Sequence, residues 1–271
     1  MPADHSPTGG PIQLDVQFNP ATIPWPRLRD GAALAERAGF GAIWVYDHLA
    51  GASVHGDTML EAFSLLGALA AVTERVALGT LVLNVAHRRP AITAVGAASV
   101  SSISGRPVYL GLGAGASPSS PWANELHDVG QAVEPSLALR HDAVATVIET
   151  CRRLWAPDRS PGLATVPRPH VGSEIHIGAS GPGLARLAGR CADAVNLAWT
   201  HPRRDELIGV ARAAAVEAGR AGFDITTYHP WDPGLLDESD ARRRDMLAVG
   251  IRRLVLLVRD PSVLAGLDVV S

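Results

Sequence analysis

The chain has 271 residues, and all 24 of its basic residues are arginine, since no lysine occurs anywhere. Schiff-base catalysis, a phosphate-loop lysine and a lysine general base are therefore excluded. With 27 acidic residues the formal charge is −3, which leaves no basic field for nucleic acid or for an anionic membrane surface. Residues 1–11 are polar and rich in Pro and Gly, without the charged-then-apolar order of a secretory signal, and read as a flexible lead into one domain spanning 1–271. No run of about 18 apolar residues is present, so the expectation is a cytoplasmic protein with no membrane partner. Cys151 and Cys191 have neither zinc-ligand nor disulfide-framework spacing and read as buried thiols of a reducing compartment.

In chain order, residues 12–18 alternate as a strand, and residues 28–38 form an Ala-rich helix that stops at Gly39. Strand 42–46, helix 61–72 and strand 76–82 follow. Pro90 introduces helix 91–102, and Gly105 precedes strand 108–112. Residues 114–135, with three prolines and several serines, are too irregular for a helix and predict a long functional loop. Helix 137–155 and a Pro-rich connection 157–172 lead to strand 174–177, helix 184–191, strand 194–197 and helix 205–221. Strand 225–229, helix 239–249 and strand 253–258 close the series. Eight strands alternating with helices, at about 34 residues per unit for 271 residues, predict an α/β fold of the eightfold barrel type. A doubly wound open sheet is the alternative, and the strand count favours the barrel.

Three short constellations carry chemical potential. Gly111-Leu-Gly113-Ala-Gly115-Ala116 satisfies the loose dinucleotide fingerprint, but Ser117 and Pro118 follow where a helix should open, so a Rossmann site is rejected. Its glycines serve either a tight turn or the close approach of a ligand. Gly178-Ala-Ser180-Gly181-Pro182-Gly183 lies between a strand and a helix start, with Arg186 nearby. It is either a phosphate site built on exposed amides or a simple cap and turn. Asp47-His48 ends the second strand, at the barrel face where a histidine can exchange protons, or else stabilises a loop. No histidine pair has the spacing of a metal site, so no metal is expected.

Taken together, these stretches resemble the bacterial luciferase-like flavin-dependent oxidoreductases, especially the branch using the deazaflavin coenzyme F420. The resemblance runs in order through Gly39-Phe-Gly-Ala-Ile-Trp-Val-Tyr-Asp47-His48, Arg75-Val-Ala-Leu-Gly79-Thr80, His87-Arg-Arg-Pro90-Ala91 and Ser104-Gly105-Arg106 before Gly111-Leu-Gly-Ala-Gly115. It continues through Arg140, Leu154-Trp155, and Ile177-Gly-Ala-Ser-Gly181-Pro182 with Cys191-Ala-Asp193-Ala, covering roughly residues 12–260. It implies a luciferase-like (β/α)8 TIM barrel, a homodimer, and a flavin ring at the C-terminal mouth. Asp47 and His48 would flank that ring as the catalytic residues, Asp47 also contacting the coenzyme, with His48 exchanging the substrate proton. The segment Gly79-Thr80-Leu81-Val82 would back the ring, through a bulge with a non-prolyl cis peptide, and Gly113 would allow its close approach. Gly178, Ala179, Ser180, Gly181 and Arg186 would hold the coenzyme phosphate. One departure is visible: family members often carry Glu or Trp directly after Gly-x-Gly-x-Gly, and here Ala116 stands there. The implied function is hydride transfer between coenzyme F420 and a small organic substrate. Two alternatives stay open, a monooxygenase using reduced FMN and a non-catalytic flavin-binding barrel.

Overall fold

The computed structural model describes residues 11–269, so the expected flexible lead lies, for residues 1–10, outside the described residues. The first half of the chain runs β1 (Gln13–Phe18), α1 (Trp25–Ala38), β2 (Ala42–Val45), α2 (Ala62–Val72), β3 (Ala77–Asn84), α3 (Pro90–Ser104) and β4 (Val108–Gly113). The second half runs α4 (Asn124–Asp128), α5 (Leu137–Trp155), β5 (Glu174–Gly178), α6 (Pro182–Cys191), β6 (Ala194–Ala198), α7 (Arg204–Glu217), β7 (Asp224–Pro230), α8 (Ala241–Ala248) and β8 (Ile251–Val258). The strands are all parallel and close in sequence order, β8 returning to β1 through the Gln13–Arg253 to Phe18–Val258 register. Closure removes both sheet edges, which decides for the barrel against the open sheet.

Local chemistry sets the element ends. A proline lies in the first turn of α1, α3 and α6, where a missing N–H costs nothing. Gly39 and Gly105 end α1 and α3 with φ of 92° and 70°, the left-handed region that favours glycine. The stretch expected to be irregular, 114–135, contains the short helix α4; one turn is too brief to leave a periodic signal among prolines and serines.

Alternation along the strands separates two interiors. Val16, Phe18, Ile43 and Val45 join the large core between the strands and the helices. Trp44, Leu81 and Val255 belong to a small second cluster inside the barrel, with Tyr109 packed against it. That inner space is plugged by a polar and aromatic group. Trp44 Nε1 donates to Asp15 Oδ2 at 2.8 Å, and Arg253 Nη1 donates to both Asp15 oxygens at 2.8 and 2.7 Å. The Arg253 guanidinium lies 4.4 Å from the centre of the Tyr109 ring, which stacks on Trp44. Burial works against the Arg253 charge, yet the Asp15 carboxylate beside it raises the guanidinium above its ordinary value.

Breaking one side of a buried pair strands the other charge, at about 3–5 kcal/mol. Arg253→Met should therefore lower stability by about that amount in urea unfolding. The double variant Arg253→Met/Asp15→Leu should recover most of the loss, because no lone charge remains.

Candidate active site

The C-terminal mouth of the barrel is organised by an irregular β3. Its register against β4 shifts between Thr80 and Leu83, and the peptide bond joining Leu81 and Val82 is cis, within the segment for which a cis bond was expected. Gln17 from β1 donates its side-chain amide to the Leu81 carbonyl, and Thr80 Oγ1 donates to the Gly111 carbonyl at 3.0 Å. The glycines opposite make this possible. A Cβ on Gly111 would stand 2.1 Å from the Thr80 carbonyl oxygen, and one on Gly113 would stand 2.6 Å from Val82 Cγ2. The glycine run therefore accommodates β3.

Beyond the shift, Asn84 reaches the end of β2. Its backbone N–H donates to Asp47 Oδ2 at 3.0 Å. Arg88 grips Asp47 with two bonds of 2.8 and 2.7 Å and also bonds Glu61. His87 Nδ1 lies 3.3 Å from Asp47 Oδ2, with both side chains buried. Although burial pushes the other way, the contacts from His87 and Arg88 hold the Asp47 carboxyl below the usual carboxylate range. Ala86 N–H donates to Asn84 Oδ1 at 3.0 Å, which turns Asn84 Nδ2 toward His87 Nε2, 2.9 Å away.

His48 sits beside this group and is only 20% exposed. Its Nδ1 lies 3.1 and 3.2 Å from the two oxygens of Glu125, a residue of α4. Glu125 is buried and also accepts from the Leu49 and Ala50 amides at 2.9 and 3.4 Å. Sequence reasoning missed it. It lies further along the loop that carries Ala116, in a helical turn too short to be legible in the sequence.

Two cavities meet at His48 and Trp122. The first, about 630 Å³, is lined by Val82, Gly113, Gly181, Arg140 and His141, with Asp47, Gly178 and Ser180 also on its wall. The second, about 1030 Å³, opens over β1, β2, β7 and β8 and is lined by Gln17, Tyr46, Trp231 and Arg259. Of the residues expected to bind a coenzyme, Asp47, Val82, Gly113, Gly178, Ser180 and Gly181 line the first cavity together with His48. Gly79, Thr80, Leu81 and Ala179 lie behind that wall, and Arg186 is exposed on α6, away from it. The arginine on the wall is Arg140, from the first turn of α5. Its Nε is buried without a partner among the described residues. Gly178 has no space for a Cβ, which would stand 2.5 Å from Val82 Cγ1, whereas a Cβ on Gly181 would meet nothing within 4 Å. The Gly181 backbone is thus open to an approaching group. Glycine-lined amides and an unspent guanidinium donor together fit an anion.

Known proteins agree with this architecture. The chain is 32% identical over 224 residues to an F420-dependent glucose-6-phosphate dehydrogenase of Microbacterium testaceum (strain StLB037), covering 75% of this chain and 64% of the relative. It is 28% identical over 234 residues to a 5,10-methylenetetrahydromethanopterin reductase of Archaeoglobus fulgidus (strain ATCC 49558 / DSM 4304 / JCM 9628 / NBRC 100126 / VC-16), covering 80% of this chain and 63% of the relative. The chain thus spans under two thirds of the length of both. Its fold is similar to that of an F420-dependent secondary alcohol dehydrogenase solved with an F420-acetone adduct, with a TM-score of 0.72 at 18% identity, covering 92% of this chain and 94% of that one. The family model described as luciferase-like monooxygenase matches residues 3–264. With an eight-stranded parallel barrel, an irregular β3 and Asp47-His48 at the mouth, the chain belongs to the luciferase-like monooxygenase family.

Proposed function

We propose that the protein is an oxidoreductase that transfers a hydride between the deazaflavin coenzyme F420 and a small organic substrate. The observation that carries the reading is the pair of cavities divided by His48 and Trp122: one is walled by glycines and Arg140, the other by polar and aromatic side chains. A two-reactant reaction needs two adjoining sites with a proton-exchanging group between them. Relatives named for F420 chemistry support the choice of coenzyme. When bound, the coenzyme supplies a hydride donor or acceptor. The chain supplies the rest. Val82 and Gly113 form the wall against the ring, and the backbone of residues 178–181 with Arg140 holds the anionic tail, in place of the Arg186 first expected. His48 takes or gives the proton that matches each hydride, while Asp47 stays ionised in the grip of Arg88 and fixes the end of β2. A cytoplasmic setting and a single domain belong to the same reading; the two free cysteines are compatible with a reducing compartment. So does a homodimer, supported by Ile92 and Ile103, both exposed and on α3.

Fluorescence titration with F420 and with FMN tests the coenzyme. Binding of F420 is expected, and binding of FMN alone would transfer the reading to a reduced-FMN monooxygenase. In the same assay Arg140→Ala should weaken F420 binding by about 10- to 100-fold, the worth of a hydrogen bond to a charged group, while Arg186→Ala should change it by less than about twofold. For the proton role, His48→Ala should lower kcat by about 100- to 10,000-fold with coenzyme affinity little changed. A variant with unaltered kcat would remove His48 from the chemistry.

A further inference from the structure

We propose that Glu125 is a positioning residue that sets the tautomer of His48, holding the ring proton on Nδ1 and leaving Nε2 as the nitrogen that exchanges protons. The consequence for turnover rests on the reading above, but the tautomer itself does not. Glu125 is buried, and its Oε2 already accepts from the Leu49 and Ala50 amides, the arrangement of an ionised carboxylate. The His48 Nδ1, at 3.1 and 3.2 Å from its two oxygens, must then be the donor.

The other charged and titratable groups nearby are committed elsewhere. His87 Nε2 approaches Glu125 Oε1 at 3.5 Å, but it accepts from Asn84 Nδ2 at 2.9 Å, because Ala86 N–H fixes the orientation of that amide. The His87 proton is therefore on Nδ1, 3.3 Å from Asp47, and His87 brings no proton to Glu125. Arg88 is spent on Asp47 and Glu61. His48 is left as the side-chain donor to Glu125 among the described residues, on a ring that lines both cavities. A carboxylate behind Nδ1 does two things. It keeps Nε2 unprotonated and able to accept, and it stabilises the imidazolium once Nε2 has taken a proton, as an aspartate does behind a catalytic histidine. The loop that lacks a carboxylate at Ala116 thus contributes one through Glu125, acting on the histidine from behind.

The test uses protein labelled with 15N-histidine, without coenzyme, at about pH 8.5, where an ordinary imidazole is neutral. Long-range proton–nitrogen correlation spectra show which ring nitrogen carries the proton, and His48→Gln identifies the His48 signals by their loss. The wild-type ring should be protonated on Nδ1. In Glu125→Gln an amide N–H replaces one of the two acceptor oxygens, and His48 should shift toward the Nε2-protonated form while thermal unfolding shows the fold intact. A wild-type ring protonated on Nε2, or a tautomer unchanged in folded Glu125→Gln, overturns the proposal. Should Glu125→Gln not fold, the wild-type spectrum decides alone. The spectra need no coenzyme, so failure of the F420 titration and failure of this inference are separate results.

Discussion

The mouth of this barrel depends on the closeness with which β3 runs past β4 and β5. Val82 Cγ2 occupies the space where a Cβ on Gly113 would stand, and Val82 Cγ1 the space where one on Gly178 would stand. A side chain larger than hydrogen at either glycine would push β3 out of register, because the nearest atoms belong to a β-branched residue in a packed wall. From that position follow Asn84 on Asp47, Asn84 on His87, and the turn that brings Arg88 to Asp47. The floor of the first cavity and the polar group beside it are thus consequences of one backbone path.

Two carboxylates at the mouth differ in role because they differ in partners. Asp47 faces a fixed cation, Arg88, and is held in the charged form well away from proton exchange near neutral pH. Glu125 faces two backbone amides and the His48 ring instead. Deeper in the barrel, Asp15 also meets a guanidinium, that of Arg253, where an aliphatic layer commonly fills such a barrel, but there complete burial pushes the carboxyl up in spite of the cation. The lack of lysine has a structural counterpart in the two arginine pairings: Arg88 bonds Asp47 through two nitrogens, and Arg253 reaches both Asp15 oxygens from one nitrogen while its guanidinium stacks on Tyr109.

The barrel and the Asp47-His48 part of the candidate site could be read along the chain because their signals are local. Strand and helix periods, prolines in first turns, glycine stops and about 34 residues per unit repeat within windows of a few residues, and Asp47-His48 stands at a strand end, which in a barrel of this kind means the mouth. Partner choice across space is not local. Arg186 is near residues 178–183 in sequence but points away on α6, whereas Arg140 is far along the chain and enters because the first turns of α5 and α6 meet, close enough that a Cβ on Gly183 would stand 2.5 Å from His141. Glu125 lies in a Ser- and Pro-rich loop without periodicity, and only the packing of α4 against the β2 loop delivers its carboxylate to His48. Element identity depends on neighbours in sequence, while which cation and which carboxylate reach the mouth depends on which helix ends the closed barrel brings together.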